Sequence, residues 1–361
     1  MSRRQPKQDE DSKRRESVGM TVSTEHDQRQ VLVIGGAGYI GNTLVRRLLE
    51  DGYRVRVLDL LLYDHGAALS GLWEHPGFSF VHGDLRDAPT LERALEGVTD
   101  AVLLAAIVGD PAASAYPDLA RSVNVDGAIS VFDALDSHGV ERFVFTSTCS
   151  NYGLRESDDL ATEESELAPV SLYAENKVEF EQHALGRVSE VDVCPTILRI
   201  ATAYGMSQRM RFDLTVSEFA RTLAIGEDLL VYDADTWRPY CHVQDISSAI
   251  MTVFDSPKEA VRGEVFNVGH SDENYTKRML ADAALAALDG EGTVDFQEGG
   301  KDPRNYRVSF AKIEDRIGFK SQYRVPTSVA SLVGAIRAGV FDDVEQRPTF
   351  YADHTLPERV G

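Results

Sequence analysis

One stretch constrains this chain more than any other: "VLVIGGAGYIGNTLVRRLLEDGYRVRVLDLL", residues 31–61. A continuous apolar run meets glycines at 35, 36, 38 and 41, gives way to helical spacing, and returns to an apolar run ending near Asp59. That succession reads as strand, glycine turn, helix and strand, the opening of a βαβ unit. Glycines between a first strand and a first helix let the backbone come close to a pyrophosphate. Its charge then rests on the free N–H groups and dipole of the helix N-terminus. The spacing Gly35-x-x-Gly38-x-x-Gly41 is one residue longer than the commoner G-x-G-x-x-G. Glycines also build plain tight turns; the flanking strand and amphipathic helix are what give these a binding role. Tyr39 and Ile40, inside the turn, belong to the same expected cradle.

The alternation continues downstream. "FSFVHGDL", "DAVLLAAI", "RFVFTST" and "VCPTILRIATAYG" read as strands, and "APTLERALEG", "VNVDGAISVFDALDSHG" and "SLYAENKVEFEQHAL" between them as helices. Strands separated by helices predict an α/β fold, a doubly wound parallel Rossmann sheet with helices on both faces. After Gly205 the rhythm becomes irregular, which predicts a smaller, partly discontinuous C-terminal substrate lobe. The expected division is 30–204 with parts of 239–270 for the cofactor domain, and 205–238 with 271–361 for the lobe. Residues 1–29 mix both charges without an aromatic residue and predict a disordered tail.

A carboxylate at the end of the second strand accepts hydrogen bonds from both hydroxyls of an adenosine ribose and repels a 2′-phosphate. Asp59, 18 positions after Gly41, therefore favours NAD over NADP, the plain alternative being a strand-end turn aspartate. Asp84 and Leu85 in "GDLRD", and Ala105 and Ala106 in "LLAAIVG", close the next two strands along the edge where a dinucleotide would lie.

Composition narrows the partners. Asp plus Glu number 58 against 37 Lys plus Arg, a net charge of −21, so nucleic acid and membrane surfaces would be repelled. Any anionic substrate needs local arginines. An acidic surface suits a high-salt habitat, and scarce lysine also suits a GC-rich genome; activity measured from dilute buffer to molar salt separates the two. No apolar run reaches the roughly 18 residues of a membrane span and no signal-peptide core is visible, so a cytoplasmic protein is expected. Three scattered cysteines indicate neither disulfides nor a metal site.

Tyr173 and Lys177 in "YAENK" are four apart, which puts them on one face of a helix. Tyrosine ordinarily titrates near ~10, and a neighbouring ammonium with a positive nicotinamide ring lowers that value toward a usable base. Upstream, "TSTCSNYG" offers hydroxyls and one thiol, Cys149. A cysteine nucleophile needs a base or a depressed pKa, and the nearby sequence supplies neither histidine nor a basic cluster. Cys149 therefore reads as a structural or pocket-lining thiol rather than a nucleophile.

Taken with "VNVDG", "LRIATAYG", "RPYCHVQDI" and "KDPRNYRVSFAK", these motifs resemble the extended short-chain dehydrogenase/reductases of the NAD-dependent nucleotide-sugar epimerase/dehydratase type. The likeness runs over nearly the whole chain from about residue 30. It implies Thr148, 25 residues before Tyr173, as the hydroxyl that steadies the sugar oxygen, Tyr173 as base and Lys177 as its partner and a ribose contact. It also implies Asn124, Cys149 and Ser150 around the sugar, and Arg238 and Arg304 on the diphosphate of a nucleotide-sugar substrate. Arg209 and Arg211, with Asp213, are the expected contacts of the "MSQRMRFD" segment, and His242 is expected to order the lobe. A homodimer through the helices near 119–136 and 173–185 is expected on the same ground. The family's 4,6-dehydratases carry Asp-Glu where this chain has Cys149-Ser150, which disfavours dehydration. Epimerisation, for which C4 is the expected carbon, stays open beside 4-keto reduction and C4 oxidation. The intact Thr148, Tyr173 and Lys177 set argues against a non-catalytic dinucleotide-binding regulator.

Overall fold

The computed structural model describes residues 25–155, 159–300, 302–353 and 356. Most of the expected tail, residues 1–24, lies outside them. Its last five residues do not form a tail: Glu25–Gln28 make a 3-10 turn, and Arg29 pairs with buried Asp100 at 2.6 Å and with Asp255 at 3.1 Å. A short polar segment gave no periodicity to read, yet Asp100 requires a cation beside it.

The chain then runs β1 (Gln30–Ile34), α1 (Tyr39–Glu50), β2 (Arg54–Asp59), β3 (Phe78–His82), α2 (Ala88–Leu95) and β4 (Asp100–Leu103). It continues with α3 (Asp110–Ala115), α4 (Pro117–Arg121), a π-helical turn at Ser122–Gly127, α5 (Ala128–Ser137), β5 (Arg142–Thr148), α6 (Leu172–Gly186) and β6 (Cys194–Ile200). Next come β7 (Thr202–Tyr204), α7 (Thr215–Ala224), β8 (Leu229–Tyr232), β9 (Trp237–His242), α8 (Val243–Asp255), α9 (Lys258–Val261) and β10 (Val265–Val268). The last part holds β11 (Asn274–Thr276), α10 (Lys277–Ala287), β12 (Val294–Gln297), α11 (Ala311–Ile317), α12 (Val325–Arg337) and α13 (Pro348–Tyr351).

Seven parallel strands form the main sheet in the order β10-β6-β5-β4-β1-β2-β3. β1 and β6 are buried along their whole length, as parallel strands covered on both faces must be. One face packs on α1 and α8, with Leu44, Leu48, Ile250 and Phe254 in its core. The other packs on α2, α5 and α6 through Leu91, Phe132 and Phe180. The single strand read in "VCPTILRIATAYG" is two, because β7 leaves the sheet to pair with β9. A further apolar core, with Phe219, Leu280, Leu332 and Val333, joins α7, α10 and α12 beyond the C-terminal ends of the main strands. No helix among the described residues is long and apolar enough to cross a membrane.

The strand order reverses between β1 and β4, so the loops after these strands part and leave a crevice, the usual ligand position in such sheets. The glycine turn fills that point. A Cβ on Gly41 would stand 2.2 Å from the carbonyl oxygen of Gly35, and one on Gly36 2.7 Å from the Val57 side chain. The turn and α1 are thus packed backbone to backbone. Gly41→Ala is expected to cost about 2 kcal/mol by overpacking, seen as a lower urea midpoint at unchanged slope.

Candidate active site

A cavity of about 880 Å³ runs from the glycine turn, past the ends of β2, β4 and β5, to the loops that connect the second core. Its first end is built from backbone. Gly35 has φ +88°, and a Cβ there would lie 2.6 Å from the Ala105 nitrogen, so the turn abuts the end of β4. Gly38 precedes α1 without a capping side chain, and Gly38, Tyr39, Ile40 and Gly41 line the cavity at that helix start. Asp59 accepts from the Ala37 N–H at 2.9 Å and the Leu61 N–H at 2.8 Å. Burial pushes its carboxyl up, but the His65 ring 3.4 Å away and these two N–H groups outweigh that and hold it below its ordinary value. Asp84, Leu85, Ala105 and Ala106 follow on the same wall, with Asp84 clasped by Arg86 at 2.6 Å.

The second end is where β5 stops. Thr148 caps a 3-10 turn, Cys149–Tyr152, its Oγ1 accepting the Ser150 N–H at 3.1 Å. Ser171 caps α6, which places Tyr173 in the first turn and Lys177 one turn later. Thr148, Ser150, Tyr173 and Lys177 all line the cavity. Lys177 Nζ donates to the Thr146 carbonyl at 2.8 Å and lies 5.7 Å from the Tyr173 ring centroid. Burial pulls its ammonium down to about 7, with Glu181 opposing. Burial pushes the Tyr173 phenol up; Arg211 opposes this, Asp110 adds to it and Arg304 opposes it.

Arginines make the third wall, each already matched by a carboxylate. Arg238 and Arg304 share Asp302, at 3.0 and 2.8 Å. Arg209 and Arg211 share Asp353, at 2.5 and 2.7 Å, and Arg211 also holds Asp213 at 2.6 Å. All four guanidinium groups belong to residues lining the cavity. Arg304 reaches further than a diphosphate role implies: its Nη1 donates to Ser150 Oγ at 3.1 Å, in the 149–152 turn, and its Nη2 meets Asp110 at 3.1 Å.

Two expected sugar contacts are elsewhere. Asn124 is 3% exposed and spends its amide on the Ile107 peptide, accepting its N–H at 2.8 Å and donating to its carbonyl at 3.0 Å. It steadies the loop after β4. Cys149 is 1% exposed, and its thiol points away from the cavity to the Arg199 carbonyl at 3.2 Å. Burial pushes that thiol well above its usual range, so it is neither sugar contact nor nucleophile. His242 caps α8 through the Gln244 N–H, and burial keeps its ring neutral, at about 4.

Asp110, Lys277 and Asp353 line the cavity although sequence reading passed them over. "GDP" at 109–111 is a helix-start pattern, and Lys277 follows the Thr276 cap, so both looked like punctuation. Asp353 had no signal near it. The burial of Lys177 has a consequence for stability that needs no substrate to measure. Its titration falls from 10.5 in an unfolded chain to about 7, so between those values the unfolded state holds the extra proton and stability rises with pH. In cofactor-free protein, the unfolding free energy of the parent relative to Lys177→Met should therefore climb from pH 7 to 10. A flat difference contradicts the burial assigned to Lys177.

The profile of the NAD dependent epimerase/dehydratase family matches residues 31–269. The low-salt glycan biosynthesis protein Agl12 of Haloferax volcanii is 29% identical over 324 residues, covering 87% of this chain and 95% of that protein. The crystal structure of DesIV, a dTDP-glucose 4,6-dehydratase from Streptomyces venezuelae with NAD and TYD bound, superposes with a TM-score of 0.78 at 30% identity, covering 86% of this chain and 97% of that one. UDP-glucose 4-epimerase from Thermus thermophilus, in complex with NAD, gives 0.75 at 26% identity, with 85% and 99% coverage. The matched stretch spans more than half of the chain, and the chain belongs to the NAD-dependent epimerase/dehydratase family.

Proposed function

We propose that the protein is an NAD-dependent nucleotide-sugar epimerase that oxidises one sugar carbon, C4, and reduces it again from the opposite face. The observation that carries this reading is the cavity end itself: a hydroxyl, a phenol and a lysine stand together, with no carboxyl group at 149 or 150. Thr148 Oγ1 already accepts a backbone N–H, which leaves its own hydrogen to donate to the sugar oxygen. Tyr173 takes the hydroxyl proton, and Arg211 and Arg304 favour its ionised form against the cost of burial. NAD, when bound along the glycine turn, supplies the hydride acceptor and a positive ring that adds to that effect. Lys177, fixed on the Thr146 carbonyl, sets its amino group on the tyrosine face, where it is mostly charged below about pH 7. Arg238 and Lys277 lie along the arginine wall and suit the diphosphate of the substrate.

The likeness to a dehydratase supports elimination of water as a second reading. Elimination needs an acid and a base of its own. Cys149 is buried with its thiol pushed up, and Ser150 is taken by Arg304, so neither suits that work. A homodimer through α5 and α6 belongs to the same proposal. Its contact would be polar: Ser130, Asp133, Glu175 and Glu179 face outward, with Arg121 on Glu179 and Arg187 on Asp133.

Offered UDP-, dTDP-, GDP- and CDP-hexoses, the purified enzyme should interconvert one C4 pair without consuming added NADH. Stoichiometric use of NADH would reassign it as a keto-sugar reductase. Tyr173→Phe should lower kcat by about 10³ while leaving the bound NAD content unchanged, measured by absorbance of the cofactor released on denaturation.

A further inference from the structure

We infer that Glu181 is a positioning residue: its buried carboxylate locks the turn that carries Thr148 to the helix that carries Tyr173 and Lys177. The inference rests on the proposed roles of those three residues. Tyr173, Lys177 and Glu181 follow one another at four-residue intervals, so they form one stripe along α6. Glu181 is 1% exposed. It accepts from Ser147 Oγ, from Asn151 Nδ2 at 2.8 Å, and from Arg199 through Nη2 at 2.7 Å and Nε at 3.1 Å. These donors come from β5, the 149–152 turn and β6, so a single group ties three elements to α6.

The placement brackets Thr148 closely. Lys177 holds the Thr146 carbonyl, Glu181 holds the Ser147 hydroxyl, and Asn151 sits in the turn that Thr148 caps. Arg199 extends the lock to the Tyr152 hydroxyl at 3.1 Å, which donates to Asn267 at 2.8 Å. A buried ion pair is a poor source of stability, since desolvation offsets its attraction and apolar residues of the same size do as well. Its benefit is geometric: reacting groups must be held within about 0.5 Å of their productive arrangement. Among groups facing Lys177, α6 supplies Tyr173 and Glu181, and β6 supplies Arg199 behind Glu181. The 149–152 turn supplies the neutral Cys149 thiol, α3 supplies Asp110 near Tyr173, and α4 and α5 offer only outer pairs with Arg121 and Arg187. Glu181 is therefore the one carboxylate in this set acting directly on the ammonium, and it favours the charged form.

The test uses the NAD-loaded enzyme. Glu181→Gln should lower kcat 10- to 100-fold with KM and NAD content unchanged, and should move the alkaline limb of the kcat profile to lower pH, because Lys177 then loses its proton sooner. Glu181→Asp restores the charge but falls one methylene short. Its alkaline limb should return to the parent position while kcat stays low. A Glu181→Gln protein with the parent kcat and profile, or one whose whole profile is scaled down without movement, overturns the inference. Should Glu181→Gln fail to fold, Ser147→Ala keeps the ion pair and removes one donor; several-fold lower kcat at unchanged KM supports the lock, and parent kcat overturns it. A parent that turns over no nucleotide sugar would refute the proposed function instead. The lock is then still read from Lys177: measured against Lys177→Met in each background, the rise of unfolding free energy with pH should begin at lower pH in Glu181→Gln than in the parent, and an unmoved rise rejects the lock.

Discussion

The pairing of Glu181 with Arg199, buried between α6 and β6, is the interaction on which the Thr148 and Tyr173 end of the cavity depends. β5 and β6 run side by side in register from Arg142 with Cys194 to Thr148 with Ile200, so Ser147 lies opposite Arg199. One carboxylate placed over that pair of residues meets both strands at once. Its lone pairs are met by a guanidinium, a hydroxyl and an amide, which is what makes burying the charge tolerable. The 149–152 turn, capped by its own threonine, inherits its position from that junction.

The same economy of charge governs the substrate side. A chain with 58 acidic and 37 basic residues has to present cations to an anionic ligand without a basic surface. Here each guanidinium is oriented by an internal carboxylate: Asp302 for Arg238 and Arg304, Asp353 and Asp213 for Arg211. The partners fix the fork geometry in advance, which lowers the ordering cost of binding. They also temper the field, so charge complementarity here is local rather than a long-range pull.

What could be read beforehand was whatever is local in sequence. The glycine turn follows from steric need at Gly35 and Gly41, Asp59 from its place at a strand end, and Tyr173 with Lys177 from helical spacing. The cavity brings these together with Thr148, Ser150 and all four arginines. What could not be read is set by contacts between distant segments. Cys149 and Ser150 are neighbours in sequence, but the 3-10 turn sends one side chain into the core and the other to Arg304, 154 residues away. Asn124 carries the right amide, yet the loop after β4 claims it. Asp353 reaches Arg209 and Arg211 only because the C-terminal segment returns over the cavity, and Arg29 is drawn out of an apparent tail by Asp100. Periodicity and spacing carry no signal for such pairs.

In the proposed epimerisation, hydrogen leaves and rejoins the sugar inside this cavity, with Tyr173 and Thr148 handling only the hydroxyl proton. Turnover of the substrate in D₂O, followed by mass spectrometry and NMR of the product, shows whether that hydrogen exchanges with solvent. Epimerisation gives a product of unchanged composition with no deuterium on any sugar carbon. Loss of one water with deuterium on C5, the ring carbon beside the oxidised C4, would identify elimination as the reaction and refute epimerisation.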